Sequence, residues 1–271
     1  MTGDDRYADR WKPPVEPSAA EVPPALEPPG QGPPVQGSPG SGLASDPPGF
    51  PYAPWGSFLA IFTTVAALIA GFLLGLPFVL FDGVPGEDLG LFTTISFQIC
   101  AGIAFIAVPM LLALRYGGTF RIAMRRLGFV SFRVGTAAKW IGIGIVSYLA
   151  FSIVWSVVIG TPEQDDIAGN FGPIGWQILL IVVLAPVAEE ICFRGMLFSG
   201  LRNRLPMWAA ALGAGAIFGA LHYSTGVSAV PVLIVLGVIF AVVYEKTGSI
   251  WPPIIMHVGN NAFALAVLSS T

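Results

Sequence analysis

Glu189, Glu190 and Arg194 stand within six residues of one another, inside an apolar run from about 174 to 201 that carries no other charge. An ionised side chain near the centre of a bilayer costs ~2.5–3.5 kcal/mol on translocon-type scales, so three together need a compensating structure or a chemical purpose. The chain has only two histidines, His222 and His257, and both lie in apolar segments downstream. Two acids, an arginine and two histidines brought together in this setting could form a catalytic site within the membrane. Glu190 and Arg194 are four residues apart and share a helix face, which suits an ion pair. Glu189 is rotated by about 100° from Glu190, so that pairing leaves it without a partner. The same four-residue spacing recurs in Phe218 and His222, and again in His257 and Asn261.

Several intramembrane chemistries are excluded by what is missing. There is no His-Glu-x-x-His spacing for a zinc protease of that type, and no aspartate inside any apolar run for an aspartyl dyad. Ser199 and Ser224 lack the glycine pattern of a nucleophile elbow. Cys192 is three residues from Glu189, but it and Cys100 read as small apolar core residues, and a disulfide framework is not expected. A glutamate, two histidines and an asparagine remain. That set can activate a water molecule and stabilise an oxyanion, with or without a metal. The structural alternatives are a self-neutralising Glu190–Arg194 pair and histidines that merely hydrogen-bond between helices. Neither accounts for Glu189.

The elements that must position these groups are membrane helices. The 271 residues are 54% hydrophobic and only 11% charged, with mean hydropathy +0.74. Soluble domains run near ~25% charged, so the expected fold is all-α, a polytopic bundle of about seven spans. Residues 1–54 hold fourteen of the 24 prolines, which remove backbone donors and block helix and sheet. That stretch reads as a disordered, Pro-rich cytoplasmic tail that is retained, serving as a spacer or binding a proline-recognising partner. The helical domain is expected over 55–271, with Trp55 at the membrane interface. Its apolar runs lie at 56–81, 91–114, 140–159, 174–201, 206–223, 230–244 and 250–268, the sixth being the shortest. Arg115, Arg121, Arg125, Arg126, Arg133 and Lys139 form one basic loop, and Arg202 and Arg204 follow the fourth run. Asp82, Glu87 and Asp88 fall on the opposite side, as do Glu163, Asp165 and Asp166. The positive-inside rule places the amino terminus in the cytoplasm, as befits an integral protein of the plasma membrane. A net charge of −3 gives no reason to expect a nucleic-acid partner.

Chain length then tests whether the polar groups can meet. Glu189 lies about fourteen residues before the turn near Asn203 and His222 about nineteen after it, a depth difference of only ~7 Å at helical rise. Helix tilt can absorb that difference.

Glu189-Glu190-x-x-x-Arg194, Phe218-x-x-x-His222 and His257-x-x-x-Asn261 resemble, in order and on separate helices, the three motifs of the CAAX prenyl endopeptidase and bacteriocin-processing (CPBP, or Abi) family. The resemblance covers roughly 174–268. It implies an intramembrane endopeptidase acting on a membrane protein or peptide in the lipid bilayer. By that analogy Glu189 and His222 activate the water, and His257 and Asn261 face the oxyanion. Glu190, Arg194 and Phe218 support them. A carboxylate withdrawn from water is a better base, which agrees with the first of these roles. The family is described both as zinc-dependent and as working by glutamate alone. Glu189, His222 and His257 could ligate zinc, but two histidines without a cysteine pair favour a metal-free site. Two other classes compete: a non-catalytic scaffold or bacteriocin-immunity-type protein, and a proton-coupled transporter. The transporter should carry internal repeats, which the sequence lacks.

Overall fold

The structure, a computed structural model, describes residues 50–82, 89–161 and 168–269. Residues 1–49 of the Pro-rich tail and most of the acidic residues assigned to the outer loops lie outside them. Among the described residues the fold is all helical, with no strand. The long helices are α1 (Ser57–Asp82), α2 (Leu91–Arg115), α4 (Val134–Val158), α5 (Ile174–Arg202), α6 (Met207–Leu221), α7 (Val230–Thr247) and α8 (Trp251–Leu268), with a short α3 (Phe120–Arg126) between α2 and α4. They occupy the seven apolar runs. In lipid a helix is the open-ended element that satisfies every backbone polar group internally.

Five of them, α1, α2, α4, α5 and the α7 segment, are long and apolar enough to cross a membrane. The short one is α6, at 15 residues, whereas α7 has 18 and is preceded by a further helical turn. The sequence reading had the sixth run as the short one. Counting apolar residues missed that His222 ends α6 in a non-helical conformation, at φ −93° and ψ 15°. In α8, His257, Asn260 and Asn261 lower the hydropathy of a helix that is otherwise apolar.

The core is organised around α5. All eight residues of Ile191–Phe198 are buried, as expected of a helix apolar on every side and enclosed by others. This helix is not α-helical throughout. Ile178–Leu184 and Ile191–Phe198 are wound as π-helix, and α-helical Ala185–Glu190 lies between them. Side chains from outside or beyond these turns bond to their carbonyls. Asn261 Nδ2 donates to Ile181 O at 2.9 Å, Ser199 Oγ to Arg194 O at 2.9 Å and Trp55 Nε1 to Met196 O at 3.0 Å. π-turns recur at functional sites, and here they flank the acidic pair.

Two residues of the expected interface and loop are enclosed by protein. Trp55, expected at the membrane interface, is fully buried. Its backbone carbonyl and that of Ala53 accept from Asn203 Nδ2 at 2.7 and 2.6 Å, so residues 53–55 strap the end of α5. Arg126, counted among the basic loop residues, is also buried. Its guanidinium donates to the carbonyls of Ala113, Tyr116 and Gly117 and so caps the end of α2, where the helix leaves its last carbonyls unmet. By contrast α4 buries only Ala137 and Gly144, leaving an apolar surface suited to lipid.

Gly215 and Gly219 let α6 and α7 meet backbone to backbone. A Cβ on Gly219 would lie 2.4 Å from Ile234 Cγ1 and 2.6 Å from the Ile234 nitrogen. Small residues at such crossings allow close packing without a polar core. The contact fixes the end of α6, three residues before His222.

Candidate active site

The structure brings α5, α6 and α8 together at the motif residues. Glu190 is fully buried on α5 and Arg194 is 1% exposed one turn later. Arg194 Nη1 lies 3.0 Å from Glu190 Oε1, the expected intrahelical ion pair. The guanidinium also donates from Nη2 to the carbonyl of Gly237 on α7 at 3.0 Å. Its carbon stands 4.7 Å from the centre of the Phe218 ring and 4.9 Å from that of Phe240. Cation–π contact of this kind strengthens when water is excluded. Arg194 thereby ties α5 to both α6 and α7.

Glu190 has a second partner that spacing alone did not reveal. His257 Nδ1 lies 2.9 Å from Glu190 Oε1, and the carboxylate beside Arg194 can only accept. His257 therefore carries hydrogen on Nδ1. The ring stacks on Phe240 at 4.6 Å and meets Phe218 edge to face at 5.8 Å. His222 is held likewise: its Nδ1 is 2.7 Å from the Phe218 carbonyl, an acceptor, so it too carries hydrogen on Nδ1. The Phe218 ring is 4.6 Å from His222. Phe218 thus supplies both an acceptor for His222 and a face for Arg194.

Both imidazoles turn Nε2 toward Glu189. Glu189 Oε2 is 3.9 Å from His222 Nε2 and 3.8 Å from His257 Nε2. That oxygen is buried without a hydrogen-bond partner. These separations exceed a direct hydrogen bond and leave a place between the three atoms for a water molecule, whose two hydrogens can serve two of these acceptors. Hence the adjacent glutamates divide His257 between them, Glu190 on Nδ1 and Glu189 on Nε2.

Asn261 is placed differently from its three companions. Its amide donates to Ile181 O, in the first π segment of α5, and so links α8 to α5. One amide hydrogen remains for other use.

A cavity of about 210 Å³ opens beside Glu189 and His222. Its walls include Leu68 of α1, Gln98 and Gly102 of α2, and Phe193 of α5. Neither His257 nor Asn261 lines it. Gln98 escaped the sequence reading because no motif contains it. The available signal was a lone side-chain amide inside an otherwise amide-free span.

The donor set for zinc, one carboxylate and two imidazoles, is of a known type. Tetrahedral coordination at ~2.0–2.1 Å, however, needs donors about 3.3–3.4 Å apart, closer than those here. Among the described residues no group of three or more His, Cys, Asp or Glu side chains is arranged to hold a metal ion. As placed, these residues do not fit zinc.

Comparison with known proteins agrees with the motifs. Residues 171–263 match the family model described as type II CAAX prenyl endopeptidase Rce1-like. The chain is also 26% identical over 182 residues to a Bacillus subtilis (strain 168) protein named "Putative membrane peptidase YdiL", covering 65% of this chain and 70% of that one. No solved structure matches at a significant level. At family level these similarities and the apolar helices indicate an integral membrane protease. Residues 171–263, which hold all three motifs, are similar to the CAAX prenyl endopeptidase family that those motifs resemble.

Proposed function

We propose that this protein hydrolyses a peptide bond of a membrane-associated protein or peptide, using water activated by Glu189 with help from His222. The observation that carries the reading is the unpartnered Glu189 Oε2 facing two imidazole Nε2 atoms at a cavity wall. A buried polar oxygen left unbonded costs ~1–3 kcal/mol, a cost that selection retains where the group has work to do. Glu189 removes a proton from the bound water, and the hydroxide adds to the scissile carbonyl carbon. The tetrahedral intermediate then breaks its C–N bond, and the proton held by Glu189 passes to the departing amine. The water gives one hydrogen to Glu189 and the other to His222 Nε2, which orients it. Glu190 and Arg194 keep His257 in its tautomer and the three helices in register.

The residues do not fit zinc, so the proposed mechanism runs without it. Full activity after exhaustive chelation is the expected result, and a loss restored by stoichiometric zinc would refute it. The segregation of basic from acidic loops supports a cytoplasmic amino terminus in the plasma membrane. A reporter fused after Thr271 should then read as external if all seven runs cross, and a cytoplasmic reading would put the count wrong by one.

The central test is cleavage by purified protein in lipid, with quenched fluorescent peptides carrying or lacking a prenylated CAAX end. Glu189→Gln keeps the shape and removes the base, and the rate per folded molecule should fall ~10²–10⁴-fold. Near-normal turnover by this variant would refute Glu189 as the base, and absence of cleavage by the wild type would leave the scaffold reading standing.

A further inference from the structure

We infer that Gln98 on α2 supplies the hydrogen bond that holds the scissile carbonyl oxygen as it becomes an oxyanion. The inference rests on the protease reading above. Attack by the water that Glu189 activates puts negative charge on that oxygen, and preorganised donors aimed at it lower the barrier. The reacting carbonyl must enter the cavity, because the cavity is where Glu189 and His222 meet open space. Its walls offer few donors. Apart from Glu189, His222 and Gln98, the lining residues are leucine, alanine, glycine and phenylalanine. Glu189 accepts, and His222 already gives its Nδ1 hydrogen to the Phe218 carbonyl. The lining backbone of α2 and α5 is helical, so its N–H groups serve the helix. His257 is 4% exposed with Nδ1 on Glu190, and Asn261 lies on Ile181 O, off the cavity wall.

Gln98 is different. It is half-buried on the α2 wall of the cavity, and no described protein group hydrogen-bonds to its side chain. An amide N–H₂ is a donor at every working pH. In a wall otherwise apolar, such a group is placed for a ligand, in the manner of the few convergent polar groups of a binding cleft. Gln98 of α2 and Glu189 of α5 line the same cavity, and a carbonyl bound there with its carbon at the water has Gln98 as the amide donor for its oxygen.

The test uses the full chain in lipid vesicles, with a quenched peptide that the wild type cleaves. Gln98→Met keeps length and removes the donor. Its kcat should drop ~10²–10³-fold with KM nearly unchanged, the cost of one oxyanion donor. Gln98→Glu, the same shape with an acceptor, should fall at least as far. It also carries the test if Gln98→Met melts early. Turnover within threefold of wild type in a folded variant, or a raised KM at unchanged kcat, would overturn the assignment. Glu189→Gln is run beside them. If it is inactive while both Gln98 variants are active, only the role of Gln98 fails. If it stays active, the assignment of Glu189 as the base fails and the inference with it.

Discussion

Replacing Arg194 should separate holding the fold from doing the chemistry. Arg194 is 1% exposed and pairs at 3.0 Å with the fully buried Glu190. Removing one partner of a buried pair costs ~3–5 kcal/mol, because the other charge stays buried without compensation. The lost hydrogen bond to Gly237 O and the lost contacts with Phe218 and Phe240 add to that, though terms sharing one side chain do not sum. Taking ~3–5 kcal/mol at ~1.4 kcal/mol per decade, the folded-to-unfolded ratio of Arg194→Met should fall roughly 10²- to 4 × 10³-fold. Against a total stability of ~5–15 kcal/mol, that is a large share. Unfolding in a fixed detergent, followed by helicity, measures it. The decisive comparison adds Glu190→Met. The double variant removes the stranded carboxylate and should recover much of the lost stability. Its cleavage rate should stay low, since His257 Nδ1 has lost its acceptor. A double variant less stable than Arg194→Met alone, or one with restored cleavage, would refute the division of labour assigned to Glu190.

Gly219→Val places a side chain where α6 touches Ile234. Overpacking of this kind costs ~1–3 kcal/mol, and by shifting the end of α6 it should reduce cleavage per folded molecule as well, read from the melt and the rate together. Asn261→Ala leaves the Ile181 carbonyl without its side-chain donor. It should lower both the unfolding midpoint and the rate, while a fall in rate at unchanged midpoint would assign Asn261 to the substrate alone. His222→Ala should slow cleavage about as much as Glu189→Gln, and the double variant should be little worse than either, as for groups acting as a unit.

The charges in the apolar run were legible because lipid offers an ionised group no bland environment. Glu189, Glu190, Arg194, His222 and His257 therefore stood out, and the i,i+4 spacing of Glu190 and Arg194 named their pairing, which the structure places at 3.0 Å. Partner choice between helices was not legible. That Glu190 also takes His257 depends on how α8 is rotated against α5, and no single helix encodes it. The π-turns were equally hidden, since isoleucine, leucine and valine suit a membrane helix of either winding. Yet those turns decide which way the acidic pair points. A π-turn changes the phase of everything beyond it, so a helical wheel drawn straight through 174–201 cannot say which neighbour each glutamate faces. The structure gives Glu189 the two Nε2 atoms and the cavity, and Glu190 the guanidinium and Nδ1. Gln98 lay beyond the motifs for a related reason. An amide costs less to bury than a charge, so it left no comparable mark on the hydropathy of its span, and its significance comes from the wall it shares with Glu189.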